Sequence, residues 1–246
     1  MSAAAGQSTR LGPFTARVVR VEGLGGLALV RVQLAEGSAL GEPGQFHMLR
    51  NAAGSDYLAR PVGLVELDDG VGFVVDRASA EADMAGPELE VLGPLGRGFD
   101  LSATSAETTL LVAAGFGLTV MPAIGRRHPG IRLIAGIRQS DHAPLAHLVA
   151  GVTLDTPRIA PDLVIEPLDE ALASGRYTQV LAAGPGPMGT AVAEVCARHG
   201  VASQIALEAP MACGFGGCYG CAVEIDGTWK RCCIEGPVVD GARLLA

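Results

Sequence analysis

The chain has 246 residues, of which 49% are hydrophobic and 18% are charged, and this composition excludes an intrinsically disordered protein. The formal net charge is −8 and aromatic residues make up only 4% of the chain. Nucleic-acid binding needs a basic surface and, for single strands, aromatic stacking side chains. The composition therefore excludes nucleic acid as a main partner.

Short strands dominate the predicted structure of the first hundred residues. Residues 16–24 and 27–34 are separated by a glycine-rich break and predict a hairpin. Further strands are predicted at 44–50, 63–67, 71–76 and from 88 onward, before a glycine loop. Strands of this length at regular spacing indicate a small antiparallel β-barrel, which we place over residues 1–101.

The pattern changes after residue 102 to apolar runs that alternate with helical segments. Residues 109–115, 131–137 and 178–184 predict buried strands, and residues 188–200 predict the clearest helix. Alternation of this kind indicates a doubly wound parallel sheet, so residues 102–205 predict an α/β nucleotide-binding domain. The uncharged stretch 108–125 is interrupted by glycine and proline, which favours a strand, a turn and a helix start over a membrane span.

Five of the six cysteines fall within 21 residues: Cys213, Cys218, Cys221, Cys232 and Cys233. The N-terminus has no long apolar segment of the kind that directs secretion, so we expect a cytoplasmic protein. In a reducing compartment such a cluster predicts a metal site in preference to disulfides. We place this site in a small module over residues 206–246.

The spacing Cys213-x4-Cys218-x2-Cys221 followed by a distant cysteine is the plant-type [2Fe–2S] arrangement. The glycine-rich loop between these residues lets backbone N–H groups approach the sulfurs. Cys232 and Cys233 are both candidates for the fourth thiolate, and because adjacent residues of a strand point opposite ways, the two are not expected to bind one tetrahedral zinc together. Structural zinc and free thiols are the alternatives, although zinc favours two short cysteine pairs and only Cys218 with Cys221 forms one.

A hairpin is predicted between the cysteine loop and the last two cysteines, with its turn at Asp226-Gly227. Trp229, the only tryptophan, falls on this hairpin, and we expect it to pack in the core or to shield the cluster.

Several segments resemble the electron-transfer subunit of NAD-linked dihydroorotate dehydrogenases. The specific ones are LEAPMACGFGGCYGC (207–221), CCIEGPVV (232–239) and VLGPLGRGFDL (91–101). The weaker ones are informative only because they occur in this order along the chain. They are PGQFHML (43–49), ARPVGL (59–64), VAAGFGL (112–118) and AAGPGPM (182–188). The resemblance implies a multi-domain α+β fold like that of ferredoxin–NADP reductases, with an FAD-binding barrel, an α/β domain and a cluster module.

The resemblance also implies residue roles. In the family the fourth cysteine stands three residues before Gly-Pro-Val, which selects Cys233 alongside Cys213, Cys218 and Cys221. The residues it implies for flavin and nucleotide binding are Arg60, Pro61, Val62, Gly63, Val74, Val75, Asp76, Gly115 and Gly117. No side chain of this chain is expected to act as a catalytic acid, base or nucleophile.

The function implied is electron transfer in pyrimidine biosynthesis. Electrons from dihydroorotate, oxidised on a separate catalytic flavin subunit, would pass through the [2Fe–2S] cluster and FAD to NAD. The partner implied is that catalytic subunit, in a heterotetramer with two copies of each chain. No membrane partner is expected.

The sequence departs from the family pattern at several positions. Gly63 replaces a serine, Arg77–Asp83 replaces a Gly-x-Gly-Thr turn, Thr119 and Val120 replace two prolines, and Ala183 replaces a cysteine. These departures keep three alternatives open: a conduit that does not use NAD, a reductase subunit of another oxidoreductase complex, and a non-catalytic subunit with a structural metal.

Overall fold

Alternating apolar residues in the first hundred positions fold as seven antiparallel strands. The computed structural model describes residues 12–53, 58–83, 86–137, 144–145, 148–149, 153–158 and 164–245. The strands are β1 (Gly12–Leu24), β2 (Leu27–Leu34), β3 (Phe46–Asn51), β4 (Arg60–Val62), β5 (Leu64–Leu67), β6 (Gly70–Asp76) and β7 (Glu88–Leu95). A seven-residue helix, α1 (Arg77–Asp83), joins β6 to β7.

The first sheet has the order β4-β3-β7-β1-β2-β6-β5. Its two edge strands, β4 and β5, are consecutive in the chain and separated by Gly63 alone, so the sheet must curl until its edges meet. Buried side chains from β1, β2, β3, β6 and β7 fill the interior, among them Val30, Leu49, Phe73 and Leu89. The predicted antiparallel barrel and the hairpin of β1 with β2 are confirmed.

The second half is built on parallel strands, most of which are rich in apolar residues because helices cover both faces of the sheet. They are β8 (Thr109–Ala114), β9 (Arg132–Gly136), β10 (Thr153–Arg158), β11 (Gln179–Pro185) and β12 (Ala202–Glu208). The helices are α2 (Met121–Arg127), α3 (Ile165–Ala173) and α4 (Gly186–His199). The predicted helix over 188–200 is confirmed as α4, and Gly200 ends it in the left-handed conformation with φ 67°.

The cysteine-rich segment leaves this sheet and returns to it. It contains the hairpin β13 (Ala222–Ile225) and β14 (Thr228–Arg231), the short helix α5 (Cys232–Glu235) and the strand β15 (Val238–Asp240). The second sheet has the order β10-β9-β8-β11-β12-β15, in which only β15 is antiparallel to its neighbour. The segment over 206–246 is therefore hydrogen-bonded into the α/β sheet at both of its ends.

Two local expectations have different outcomes. The turn at Asp226-Gly227 is confirmed, and both residues adopt positive φ, 55° and 63°, as a tight hairpin turn requires. The expected packing of Trp229 in the core is wrong, because its side chain is 70% exposed. Its strand belongs to a two-stranded ribbon that is separate from the two larger sheets.

The stretch 108–125 contains β8, a 3-10 turn (Gly115–Thr119) and the start of α2, as the sequence predicts. Among the helices that the structure describes, none has the length and apolar character needed to cross a membrane.

Gly117 lies where the turn after β8 crosses β11, and we expect Gly117→Ala to disrupt this crossing. An added Cβ would lie 2.0 Å from the Ala183 carbonyl oxygen, a backbone atom that no rotamer change can move. The predicted loss in the free energy of unfolding is about 3 kcal/mol or more. Gly115→Ala is the matched control: its Cβ meets open space, and only the positive φ of 56° costs about 1 kcal/mol. Urea unfolding of both variants measures the difference, and equal losses would contradict the predicted backbone clash.

His47 on β3 gives the barrel a predicted sensitivity to acid. The side chain is 1% exposed, its ring meets Phe73 edge-on at 5.7 Å, and neither ring nitrogen has a hydrogen-bond partner among the described residues. Burial lowers the pKa of His47 to about 4. Between that value and the ordinary pKa of about 6.5 the unfolded chain binds a proton that the folded chain refuses, so stability falls as the pH is lowered through this window.

We expect the free energy of unfolding to drop by about 2 kcal/mol between pH 7 and pH 5 on account of His47. The variant His47→Leu has no proton to take up in the unfolded state and should lose less stability over the same interval. Urea unfolding of both proteins at the two pH values measures the difference. Parallel losses in the two proteins would show that His47 is not the titrating group.

Candidate functional site

The cysteine loop and helix α5 lie next to each other and together carry the predicted cluster ligands. Cys213, Cys218 and Cys221 lie on the loop between β12 and β13, and Cys233 lies on α5. The backbone N–H of Cys233 donates to the Cys221 sulfur at 3.5 Å, and the N–H of Cys232 donates to the Cys221 carbonyl at 3.0 Å. The structure thus brings the distant cysteine pair of the sequence onto the end of the loop.

Backbone N–H groups point at the loop sulfurs. The Gly220 N–H donates to the Cys218 sulfur at 3.4 Å. Desolvation opposes ionisation of Cys213, but hydrogen bonds from the backbone N–H groups of Cys218, Phe215 and Gly217, together with the Cys218 side chain, lower the pKa of the Cys213 thiol to about 6. Donors of this kind stabilise thiolates, which is the form that ligates iron.

Cys232 and Cys233 diverge from the first turn of α5. The Cys232 sulfur is fully buried and donates to the Leu207 carbonyl at 3.8 Å. Burial, with the charges of Cys221 and Cys233, raises the pKa of Cys232 to about 12. The Cys233 sulfur faces the loop: burial, a hydrogen bond with Cys221 and the charges of Cys221 and Cys213 raise its pKa to about 12 as well. This placement favours Cys233 over Cys232 as the fourth ligand.

The donor set of the site is four thiols, which fits a [2Fe–2S] cluster. A structural zinc needs four ligands around one point, whereas a [2Fe–2S] cluster distributes four thiolates over two irons. Four thiols with N–H donors directed at their sulfurs match the second requirement.

A cleft of about 390 Å³ opens between the barrel and the carboxyl ends of the parallel strands, where doubly wound sheets bind their ligands. The barrel wall of the cleft contains most of the predicted flavin residues. Those that line it are Arg60, Pro61, Val62, Gly63, Val74, Val75, Asp76 and, from the opposite wall, Gly117. Gly115 is not in the lining.

The opposite wall consists largely of residues that the sequence did not single out as ligand-binding. They are Phe116, Thr119, Val120, Ala183, Gly184, Ala206, Leu207, Glu208, Ala209 and Met211. Their common feature is position: each follows or ends a parallel strand. The two glycine turns after β8 and β11 were the available signal there, and at the end of β12 the signal was the resemblance of residues 207–221.

Two departures from the family pattern are neighbours in this cleft. A Cβ added at Gly63 would lie 3.2 Å from the Thr119 hydroxyl oxygen, and the Thr119 hydroxyl donates to the Phe116 carbonyl at 2.7 Å. The missing side chain at position 63 and the hydroxyl at position 119 therefore occupy adjacent space. The two substitutions act as one local change in the cleft wall.

Helix α1 stands where the family has its Gly-x-Gly-Thr turn. Its first residue, Arg77, donates its backbone N–H to the Gly26 carbonyl at 3.0 Å, and Ser79 in the same turn lines the cleft. A hydroxyl is thus available at this end of the cleft without a glycine turn. The side chains of Glu81 and Asp83 are outside the described part of the chain.

Glu208 connects the cleft to the cysteine loop. It ends β12, lines the cleft, and its carboxylate accepts a hydrogen bond from the Gly117 backbone N–H. The side chain is exposed to the open space of the cleft and surrounded by protein on its other sides. Because that surrounding desolvates the carboxylate more than the hydrogen bond stabilises it, the pKa of Glu208 is raised.

The cleft and the cluster site are contiguous along the chain. Met211 lines the cleft, and Cys213 is two residues further on. Two residues span at most about 7 Å between Cα atoms, so Cys213, a predicted cluster ligand, lies within about 7 Å of a residue that lines the cleft. The predicted cluster site and the cleft are therefore adjacent.

Comparison with solved structures shows the same fold. A structure titled as the NADH-dependent reduced ferredoxin-NADP oxidoreductase of flavin-based electron bifurcation is similar with a TM-score of 0.71 at 20% identity, over 96% of this chain and 90% of that chain. A ferredoxin-NADP+ reductase from Plasmodium falciparum is similar with a TM-score of 0.62 at 7% identity, over 80% of this chain and 96% of that chain. The expected reductase-like architecture is therefore confirmed.

Comparison of sequences identifies the family. The iron-sulfur cluster binding domain of dihydroorotate dehydrogenase B matches residues 208–245. The "Dihydroorotate dehydrogenase B (NAD(+)), electron transfer subunit" of Clostridium acetobutylicum is 26% identical over 82% of this chain and 86% of its own length. The protein of the same name from Fusobacterium nucleatum is 30% identical over 80% of this chain and 84% of its own length. The chain therefore belongs to the family of dihydroorotate dehydrogenase B electron transfer subunits.

Proposed function

We propose that this chain carries electrons from a dihydroorotate-oxidising catalytic subunit through a [2Fe–2S] cluster to FAD and on to NAD, in cytoplasmic pyrimidine biosynthesis. The observation that carries the proposal is that Cys213 follows Met211, a residue that lines the cleft, by only two positions in the chain. Bound FAD supplies the exchange between one-electron and hydride chemistry. In this proposal residues 1–101 hold the flavin, 102–205 receive the nicotinamide and 206–246 hold the cluster.

In this scheme the side chains of this protein bind and orient the flavin and the cluster. Arg60, at the cleft edge of β4, offers a guanidinium for a charge-assisted bond to the flavin or its phosphate. The Ser79 hydroxyl at the first turn of α1 adds a further polar group to the wall of the cleft. Val62, Val74 and Val75 give the cleft an apolar wall suited to the ring system. Cys213, Cys218, Cys221 and Cys233 ligate the two irons.

The exposed apolar side chains beside the cysteine loop support a partner subunit. Phe215 is 63% exposed and Tyr219 is 60% exposed, with Trp229 and Ile234 also exposed nearby in the same segment. Large aromatic side chains are enriched at protein interfaces and are costly to leave in water. We propose that the catalytic subunit covers them in a heterotetramer of two copies of each chain, since electrons must reach the cluster from outside this chain.

A second candidate keeps the cluster and flavin but omits NAD. The residues Thr119 and Ala183 favour it, because both line the wall of the cleft that the α/β domain forms and both differ from the family pattern there. In that case another acceptor takes the electrons from the flavin.

Substitution of the adjacent cysteines tests the ligand set. We expect Cys233→Ser to reduce iron and acid-labile sulfide to about a tenth of the wild-type content or less, because the cluster loses a thiolate. The matched control Cys232→Ser should retain both and lose about 1 kcal/mol of stability, since its sulfur packs in the core. Iron and sulfide assays on anaerobically purified protein measure this. Loss of iron in Cys232→Ser with retention in Cys233→Ser would make Cys232 the fourth ligand.

Activity of the complex with the catalytic subunit tests the order of the relay. Cys233→Ser should abolish dihydroorotate-driven NAD reduction and keep NADH-driven ferricyanide reduction, because the flavin cleft is unchanged. Arg60→Ala should lose both activities together with bound flavin. Dihydroorotate-driven NAD reduction at the wild-type rate in an iron-free Cys233→Ser complex would refute the proposed path. A wild-type complex that does not oxidise NADH with any dye would favour the second candidate.

A further inference from the structure

One arginine contacts both pieces of the cysteine site. Arg231 ends β14 directly before the two adjacent cysteines of α5, and its guanidinium reaches back to the loop. One terminal nitrogen donates to the Gly216 carbonyl at 3.3 Å, and the guanidinium carbon lies 5.0 Å from the centre of the Tyr219 ring. The loop and the helix that together carry all four cysteines are thus held by one side chain.

The contacts fall on two loop residues that have positive φ angles. Gly216 and Tyr219 both have positive φ, 84° and 58°, and Tyr219 is one of two non-glycine residues in the described chain with this conformation. A non-glycine residue in the left-handed region costs about 1–2 kcal/mol, so its geometry must be held from outside the loop. The cation–π contact with Tyr219 and the hydrogen bond to Gly216 provide that support.

Glu235 fixes the direction of the guanidinium. Its carboxylate pairs with an Arg231 terminal nitrogen at 3.4 Å and accepts the Arg231 backbone N–H at 2.6 Å. Arg231 is 29% and Glu235 33% exposed as side chains, so the pair is partly screened from water. Because the arginine is the member that contacts the Gly216 carbonyl, the positive end of the pair faces the cysteine loop.

Charge gives this arrangement a redox consequence. A [2Fe–2S] cluster with four thiolates is negative and gains one more negative charge on reduction. A guanidinium is permanently positive, so its attraction to the cluster is stronger after reduction than before. The guanidinium of Arg231 donates to the carbonyl of Gly216, two residues before Cys218, and Arg231 directly precedes the adjacent cysteines of α5, so its charge lies beside proposed ligands.

We propose that Arg231 is a positioning residue that holds the cysteine loop on α5 and raises the reduction potential of the cluster, with Glu235 offsetting part of its charge. This inference rests on the proposed function, since it requires the cluster to assemble on these cysteines.

The test is a redox titration of the cluster, followed by electron paramagnetic resonance, on the chain purified with its catalytic subunit. Arg231→Gln removes the positive charge. Arg231→Lys keeps the charge but loses the planar guanidinium that contacts Gly216 and Tyr219. Glu235→Gln removes the opposing negative charge. The matched control is Arg243→Gln, because Arg243 forms an exposed ion pair with Asp226 in the same segment.

At the wild-type midpoint potential, we expect the ratio of reduced to oxidised cluster to fall about fivefold in Arg231→Gln and to stay near wild type in Arg231→Lys and Arg243→Gln. The ratio should rise in Glu235→Gln. The effect of Arg231→Gln should shrink at high salt, which a purely structural role would not produce.

An iron-loaded Arg231→Gln protein with the midpoint of Arg243→Gln would overturn the inference. Equal shifts in Arg231→Gln and Arg231→Lys would also overturn it, because geometry and not charge would then be responsible. If Arg231→Gln fails to hold iron, Glu235→Gln decides: a raised potential supports the inference and an unchanged one refutes it. A wild-type complex without iron would overturn the proposed function itself.

Discussion

Residues 236–238 pack into the barrel at positions where only glycine leaves room, and the site depends on this packing. A Cβ at Gly96 would lie 2.6 Å from the Pro237 ring, and one at Gly44 would lie 2.6 Å from the Val238 side chain. The Arg97 N–H donates to the Gly236 carbonyl at 2.6 Å, and the Leu207 N–H donates to the Pro237 carbonyl at 3.0 Å. Barrel, sheet and cysteine segment are thereby fixed to one another within a few residues.

The consequence is a short path between the two proposed redox sites. β12 carries the chain from the sheet into the cleft wall and then into the cysteine loop, and β15 returns it beside β12. A cluster held on a separate, loosely linked module would have no fixed distance to the cleft. Here the hydrogen bonds of β12 and β15 fix that distance, which is the structural requirement for a relay.

Most of the polar groups near this junction have a hydrogen-bond partner. The Cys232 thiol donates to the Leu207 carbonyl, and Glu208 accepts the Gly117 N–H. Arg231 and Glu235 pair at the edge of the loop. The two ring nitrogens of His47 are among the buried polar atoms of the described chain that have no hydrogen-bond partner, and their effect is on the acid stability of the barrel.

The sequence by itself determined the features that depend on local pattern or fixed spacing. The Cys-x4-Cys-x2-Cys loop, the turn at Asp226-Gly227, the barrel followed by a parallel sheet and helix α4 all follow from residues near one another in the chain, where periodicity and turn chemistry act. The resemblance also named eight residues that line the cleft, because its motifs mark strand ends.

Only the tertiary structure decided which surfaces meet. It turned Cys232 into the core and Cys233 toward the loop, placed Gly63 against Thr119, left Gly115 out of the cleft lining, and exposed Trp229 where packing was expected. It also paired β15 with β12 and brought Arg231 to Gly216 across 15 residues. These outcomes rest on contacts between distant segments, and no local periodicity encodes them, because the free energy that selects them comes from packing the whole chain.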